Sequence, residues 1–120
     1  MSHIVTIKTE VRDAAALSAA CRRLGLTEPE QRTVQLYDAR ATGLAIQLPG
    51  WEYPVVCDTA SGTVHFDNFE GRWGDRRHLN RVLQLYAVEK AKLEAKRRGH
   101  SVRERELADG SIRLTIGVEG

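Results

Sequence analysis

The chain has 120 residues and a mass of 13.4 kDa, which suits one domain with a core large enough to fold without disulfides or metals. Apolar residues make up 42% and charged residues 28% of the chain, the balance of a soluble globular protein. No apolar run approaches the roughly 18 residues that a membrane span needs. The opening "MSHIVTIKTE" also lacks the basic start and apolar stretch of a secretory signal. We therefore expect one globular domain over residues 1–120, located in the cytoplasm.

The first half of the chain predicts a strand, a helix and two β-hairpins. "HIVTIKT" alternates as a strand does, and Asp13 is placed to cap a helix over residues 13–24 that ends before Gly25. "RTVQLYD" with "GLAIQL", and "YPVVCD" with "GTVHFDN", are strand pairs separated by turn residues. The side chains that alternation assigns to the apolar side of these hairpins are Leu44, Ile46, Leu48, Val55, Cys57, Val64 and Phe66.

A long helix is predicted over residues 75–98, and Gly99 ends it. Lys90 falls inside its apolar stripe, where either its stem packs while the ammonium reaches water or the ammonium pairs with a buried carboxylate. Leu85 and Val88 fall off the stripe, so they either widen the buried face or contact another chain. The apolar stripe itself comprises Leu79, Val82, Leu83, Tyr86, Ala87 and Leu93.

Tyr86 and Lys90 lie one helical turn apart and are predicted to be a structural pair. The Tyr86 ring is expected to pack on the sheet beside Leu83 and Leu114. Its hydroxyl and the Lys90 ammonium are expected to meet polar groups at the edge of the core, because an unpaired buried hydroxyl is costly.

The chain closes with a third hairpin, "HSVREREL" and "SIRLTIGV" around the turn "ADG", in which Ile112, Leu114 and Ile116 are expected to point inward. The element order is therefore β-α-β-β-β-β-α-β-β. Its connections are too short for several parallel crossovers. The predicted class is α+β, with a mostly antiparallel sheet packed by two helices.

Few residues in the sequence suggest catalysis or metal binding. Cys21 and Cys57 are expected to be buried free thiols, and the histidines are scattered, so neither a metal nor a cofactor is predicted. GxSxG, GxGxxG and Walker patterns are missing from the sequence. The best acid–base candidate is an outward-facing set on the second hairpin, His65 with Asp58 or Asp67, which would suit a hydrolase or isomerase. A polar sheet surface explains the same residues more simply.

The stretch "GRWGDRRHLNR", residues 71–81, opens the long helix with a group of arginines. The segment 71–98 carries nine Arg or Lys residues against three acidic ones, although the chain has a net charge of only +2. Arginines at a helix N-terminus gain nothing from the helix dipole, so they point to an anion or an interaction partner. The residues predicted to contact a partner are Arg72, Trp73, Arg76, Arg77, Arg81, Leu85 and Val88.

Three stretches resemble the family called hypothetical chloroplast reading frame thirty-five: "MSHIVTIKTEVRD", "LNRVLQLYAVEKAKLEAKRRGH" and "ADGSIRLTIGVEG". Its Gln-x-Tyr-Ala pattern and lysine correspond to Gln84, Tyr86, Ala87 and Lys90, and its Asp-Gly-Ser-Ile-Arg-Leu to residues 109–114. Its Asp-Trp-Trp-Gly motif is only partly kept, because Asp67 is followed here by Asn68 and Phe69, and Trp73-Gly74 alone preserves the Trp-Gly. The resemblance implies a domain without established enzymatic activity, in the cytoplasm or the plastid stroma.

Members of that family are often encoded beside an AAA-type ATPase, so the resemblance implies an accessory or adaptor role toward such an enzyme. The leading hypothesis is accordingly a non-enzymatic interaction module with a protein partner and no membrane association. The alternative is a nucleic-acid-binding module, with Trp73 as a stacking platform. Its basic residues would be Arg72, Arg76, Arg77, Arg81, Lys92, Lys96, Arg97 and Arg98.

Overall fold

The computed structural model describes residues 4–7 and 10–117, with side chains from residue 10 onward. The predicted order of elements is confirmed, apart from a short 3-10 turn before the second helix. The elements are β1 (Ile4–Ile7), α1 (Ala14–Arg23), β2 (Glu30–Gln35), β3 (Arg40–Ile46), β4 (Val55–Asp58), β5 (Thr63–Asp67), the 3-10 turn (Phe69–Gly71), α2 (Arg76–Arg97), β6 (Ser101–Glu106) and β7 (Ile112–Gly117). Residues 3, 8 and 9 of the predicted first strand lie outside the described residues.

The strands form two antiparallel sheets. Five of them are arranged in the order β1-β5-β4-β3-β2, and β6 pairs only with β7 in a two-stranded ribbon. The fold is therefore α+β, as predicted. Leu44 pairs with Cys57 and Cys57 with Val64, so these three side chains share one face of the large sheet. That face packs against both helices and forms the main core.

Local signals explain why the two helices begin and end where they do. The Asp13 side chain accepts a hydrogen bond from the Ala16 backbone N–H at the start of α1, and Asp75 accepts one from Arg77 at the start of α2. Gly25 and Gly99 follow the two helices with positive φ values of 69° and 73°. The thiols of Cys21 and Cys57 are buried and free, as predicted.

The opposite face of the large sheet is more apolar than its sequence suggested. Val56, Ala45 and Ala41 lie on this face and form a second, smaller buried cluster with Val34 and Leu36. Tyr53 packs against the cluster from outside. Among the described elements, neither helix contributes a residue to this cluster.

Two expectations for α2 are corrected by its surroundings. Leu85 is 1% exposed within the main core and Val88 is 5% exposed, so neither offers a contact surface for another chain. Ala87, assigned to the buried stripe, is exposed. Leu85 and Val88 are buried because α2 is covered on two sides, by the main core and by the β6–β7 ribbon. On the ribbon side, Val88 lines a groove with Ile112 and Leu114.

The C-terminal ribbon only partly follows the prediction. Ile112 packs against the main core and Leu114 is half-buried, but Ile116 is 45% exposed because it lies near the end of the ribbon. In the turn, the Gly110 N–H bonds to the Leu107 carbonyl and Gly110 alone has a positive φ, 87°. The turn is thus a tight turn followed by a left-handed glycine, not the paired left-handed Asp-Gly turn that the sequence favoured.

Side chains fasten the ribbon to the helices. Arg23 at the end of α1 makes two hydrogen bonds to the Glu104 carboxylate of β6, at 2.9 and 2.6 Å. Glu89 and Lys92 of α2 complete this cluster of charges, at 3.3 Å from Arg23 and 3.5 Å from Glu104, respectively. Gln84 adds a bond from its amide to the Gly110 carbonyl in the turn, at 2.9 Å.

Candidate functional site

The loop between β5 and α2 is held in one shape by several independent contacts. Asn68, at the start of the loop, binds its far end: its carbonyl accepts from the Trp73 N–H at 2.9 Å, and its side-chain amide donates to the Gly74 carbonyl at 3.3 Å. Trp51 lies directly against Gly74, so that a Cβ at residue 74 would overlap its indole ring. The indole N–H of Trp51 also donates to the Asp75 carbonyl at 3.1 Å. Glycine at position 74 is therefore required by close packing.

This loop presents Trp73 at the rim of the helix-free sheet face, among three other aromatic rings. The Phe69 ring stacks on the indole with 4.7 Å between centroids, and Tyr37 and Tyr53 approach it at 5.5 and 5.8 Å. The Arg72 guanidinium lies 5.2 Å from the centre of the Phe69 ring. We call these five residues the aromatic surface. Tyr37, at 55% exposure, is its most open member.

The backbone beneath the aromatic surface departs from local preference. Phe69 and Glu70 have positive φ values of 45° and 55°, which cost free energy for residues other than glycine. Asp67 just before them is fully buried, and its Oδ1 accepts from the Phe69 N–H at 3.3 Å. Among the described residues, its Oδ2 is the one buried side-chain nitrogen or oxygen atom that has no hydrogen-bond partner. The loop geometry is thus maintained at an energetic cost, which is common where geometry serves a function.

The basic residues of the helix start are largely engaged within the chain. Arg77 makes a forked contact with the Asp75 carboxylate, at 3.0 and 2.7 Å, and this hydrogen bonding lowers the pKa of Asp75 to about 2. Arg81 bonds to Gln84 at 2.7 Å and lies 3.7 Å from Glu106. The expectation of an anion site at this helix start is therefore not supported, since Asp75 both caps the helix and binds the nearest guanidinium.

Arg76 has a different environment. Its guanidinium lies 5.0 Å from the centre of the Phe66 ring, and its Nε donates to Asn80 at 3.2 Å. Arg72 is the predicted contact arginine with neither a carboxylate nor an amide partner within the described part of the chain. Of the residues predicted to contact a partner, Trp73 and Arg72 therefore lie together on the aromatic surface, where Arg72 is exposed and Trp73 is partly exposed.

Tyr86 is structural, and its hydroxyl meets polar groups at the edge of the core, as predicted. Its hydroxyl accepts from the backbone N–H groups of Arg12 and Asp13, both at 3.1 Å, and donates to the Glu10 carbonyl at 3.3 Å. The ring belongs to the main core, while the hydroxyl anchors the segment that leads into α1. Lys90 lines an adjoining groove and makes no hydrogen bond or ion pair with any described residue, so the buried-carboxylate interpretation is wrong.

Both carboxylates of the candidate acid–base set on the second hairpin accept hydrogen bonds from backbone N–H groups. Asp58 uses Oδ1 to accept from the Ala60 N–H at 3.1 Å, and Asp67 binds the N–H of Phe69. A hydrogen bond to Ser61 is the main reason that the pKa of Asp58 is lowered, and the charge of His65 contributes least. Among the described residues, no group of three or more His, Cys, Asp or Glu side chains could hold a metal ion.

Sequence reasoning missed the tyrosines and the phenylalanine of the aromatic surface. The chain has only seven aromatic residues, and Tyr37, Tyr53, Phe69 and Trp73 come from three separate loops. The available signal was position, since Tyr37, Tyr53 and Phe69 each lie two residues from a strand end. No helix of the described chain is long and apolar enough to cross a membrane.

Comparison with known proteins adds no relative. No protein-family model, no curated protein and no solved structure matches this chain.

Proposed function

We propose that the protein is a non-enzymatic interaction module that binds a protein partner through the aromatic surface. The observation that carries the proposal is the cluster of four rings and one arginine around Trp73, in which Tyr37 and Arg72 are exposed and the other three rings are partly exposed. Tryptophan, tyrosine and arginine are the residues that most often dominate the binding energy of protein interfaces.

The way the surface is built supports this proposal. The Asn68 and Trp51 contacts hold the loop before any partner arrives, so little conformational entropy is lost on binding. The small apolar cluster of Val56, Ala45 and Val34 supports the Tyr53 ring from beneath. Aromatic side chains that are held in place before binding and packed on a buried cluster are the arrangement expected of a binding hot spot.

The same geometry argues against a nucleic-acid platform at Trp73. Phe69 already stacks on the indole, with an angle of 23° between the rings. The face of the indole that Phe69 covers is therefore closed to a nucleic-acid base. Arg77 and Arg81, proposed to hold the phosphates beside it, are bound to Asp75 and to Gln84 and Glu106.

The partner class that we propose from the family resemblance is an AAA-type ATPase. The test is affinity capture from native lysate with the wild-type chain, Trp73→Ala and Tyr37→Ala, and with Ile116→Ala as the matched control. Ile116 is the other large exposed hydrophobic side chain described and lies on β7, away from the aromatic surface. A partner lost by both aromatic variants and kept by the control supports the proposal. Equal recovery by all four proteins would overturn it, and recovery of a partner that is no ATPase would overturn only the partner class.

A further inference from the structure

The ribbon of β6 and β7 carries its acidic and its basic side chains on opposite faces, although its net charge is zero. Residues 101–117 contain three arginines and three acidic residues, so the segment is neutral overall. Alternation along "VRERE" places Glu104 and Glu106 on one face and Arg103 and Arg105 on the other. The strand register adds Arg113 to the arginine face, directly opposite Arg105.

The acidic face is turned toward the helices and is neutralised there. Glu104 binds Arg23 and Lys92, and Glu106 lies 3.7 Å from Arg81. Hydrogen bonding to Arg23 is the main reason that the pKa of Glu104 lies below its usual value. The acidic charges of the inward face are therefore paired with basic side chains of the same chain.

The outward face keeps its positive charge. Arg103, Arg105 and Arg113 are all exposed, and within residues 10–117 their side chains form no hydrogen bond or ion pair. Like charges directly opposite each other on a β-ladder are destabilising, as the Arg105–Arg113 pair must be. Lys96 and Arg97 in the last turn of α2 have a structural explanation, since cations favour a helix C-terminus. The ribbon arginines have no such explanation.

From this face we infer a second binding site, which takes the phosphate backbone of a nucleic-acid duplex without reading its sequence. A guanidinium fork matches a phosphate geometrically, and three such groups lie on one narrow surface. The major groove of B-DNA is wide enough to admit a two-stranded β-ribbon. The remaining outward side chains, Ser101 and Thr115, offer neither an aromatic ring for stacking on single strands nor the amide groups that most often read bases.

The arginine face and the aromatic surface share no residue, so an experiment can contradict one of the two proposals and leave the other intact. The test measures binding of the full chain to a DNA duplex, an RNA duplex, a single strand and polyglutamate of equal charge by fluorescence anisotropy, at about 50 and about 200 mM salt. The test variant combines Arg103→Gln, Arg105→Gln and Arg113→Gln. The matched control combines Arg12→Gln, Arg32→Gln and Arg40→Gln, which removes the same charge from exposed positions outside the ribbon.

Three phosphate contacts predict a slope of about −2.7 for log affinity against log salt. The ribbon variant should lose this slope and at least about tenfold in affinity at the lower salt, while the control retains both. The two duplex arms decide between DNA and RNA. A chain with Lys at all three ribbon positions should keep the slope, because lysine still contacts phosphate as a point charge.

Three outcomes would overturn the inference. One is no saturable duplex binding by the wild type at the lower salt. Another is an equal loss in the ribbon variant and the control, which would indicate only a dependence on net charge. The third is tighter binding of another ligand than of either duplex. Tighter binding of the single strand would point to single-stranded nucleic acid, and tighter binding of polyglutamate would point to an acidic protein surface. Unfolding midpoints should be unchanged or raised in the ribbon variant, since it removes a repulsive pair.

Discussion

Single side chains on α2 connect elements that are distant in sequence. Tyr86 joins the main core to the lead-in of α1 with one hydroxyl, and Gln84 reaches the turn of the ribbon. Both residues therefore hold neighbouring segments against α2.

The first prediction concerns Tyr86. Replacing it with Phe leaves the N–H groups of Arg12 and Asp13 without their acceptor, which should cost about 1–3 kcal/mol of unfolding free energy. Replacing it with Ala also empties part of the main core and should cost about 3–5 kcal/mol. Urea unfolding of the two variants measures both values. A Phe variant as stable as the wild type would show that the hydroxyl contacts contribute nothing.

A second prediction at this scale tests the packing of Trp51 on Gly74. Gly74→Ala introduces a Cβ that overlaps the indole ring, so the loop or the ring must move. We expect a loss of about 1–3 kcal/mol in unfolding free energy, as for other overpacked sites. Gly71→Ala is a poorer control because Gly71 has a positive φ of 95°. Ala87→Ser, at an exposed position, is the better reference, and a Gly74→Ala variant no less stable than it would contradict this packing.

At the scale of elements, the ribbon depends on the cluster formed by Arg23, Glu89, Lys92 and Glu104. Arg23 and Glu104 are each partly exposed, so water screens their attraction, and we expect a coupling free energy of about 0.2–1 kcal/mol from a double-mutant cycle. The coupling should shrink at high salt. A cycle with Arg23→Ala and Glu104→Ala that gives no coupling at low salt would show that other contacts hold the ribbon.

The same pair makes ribbon attachment depend on pH. The pKa of Glu104 is lowered in the folded chain below 4.5, chiefly by hydrogen bonding to Arg23. Its contribution is therefore fully present above pH 4.5 and is lost as pH falls through the lowered pKa. Hydrogen exchange of the β6 amides should accelerate on acidification in the wild type, after correction for intrinsic rates. A Glu104→Gln variant should show a weaker dependence, and an identical dependence in both would exclude Glu104 as the cause.

At the scale of the whole molecule, the sequence predicted the elements well and the surfaces poorly. Asp13, Gly25 and Gly99 mark helix ends because capping is a local property, and strand alternation placed Val64 and Phe66 correctly. The burial of Leu85 and Val88 depended on which elements cover α2 from two sides, and periodicity carries no such information. The aromatic surface gathers side chains from three loops, so only tertiary structure brings it together.

Stability of the whole fold should fall in alkaline solution because both thiols are buried. Burial raises the pKa of Cys21 to about 11 and that of Cys57 to about 12, from 9.0. Their contribution is intact below pH 9 and is lost as pH rises toward those values, since only the unfolded chain ionises there. Each thiol should contribute up to about 1.4 kcal/mol per pH unit. The slope of unfolding free energy should be shallower in a Cys21→Ala, Cys57→Ala chain, and equal slopes would contradict the assignment.

The central claim is that the aromatic surface binds a protein partner. Its most direct test is a titration of the purified partner, once captured, with the wild-type chain, Tyr37→Ala and Ile116→Ala. Both side chains are large, apolar and exposed, so the two truncations differ mainly in location. We expect Tyr37→Ala to weaken binding at least about tenfold, as for a hot-spot residue, and Ile116→Ala to leave it unchanged. Unchanged affinity in Tyr37→Ala, or an equal loss in both variants, would contradict the claim.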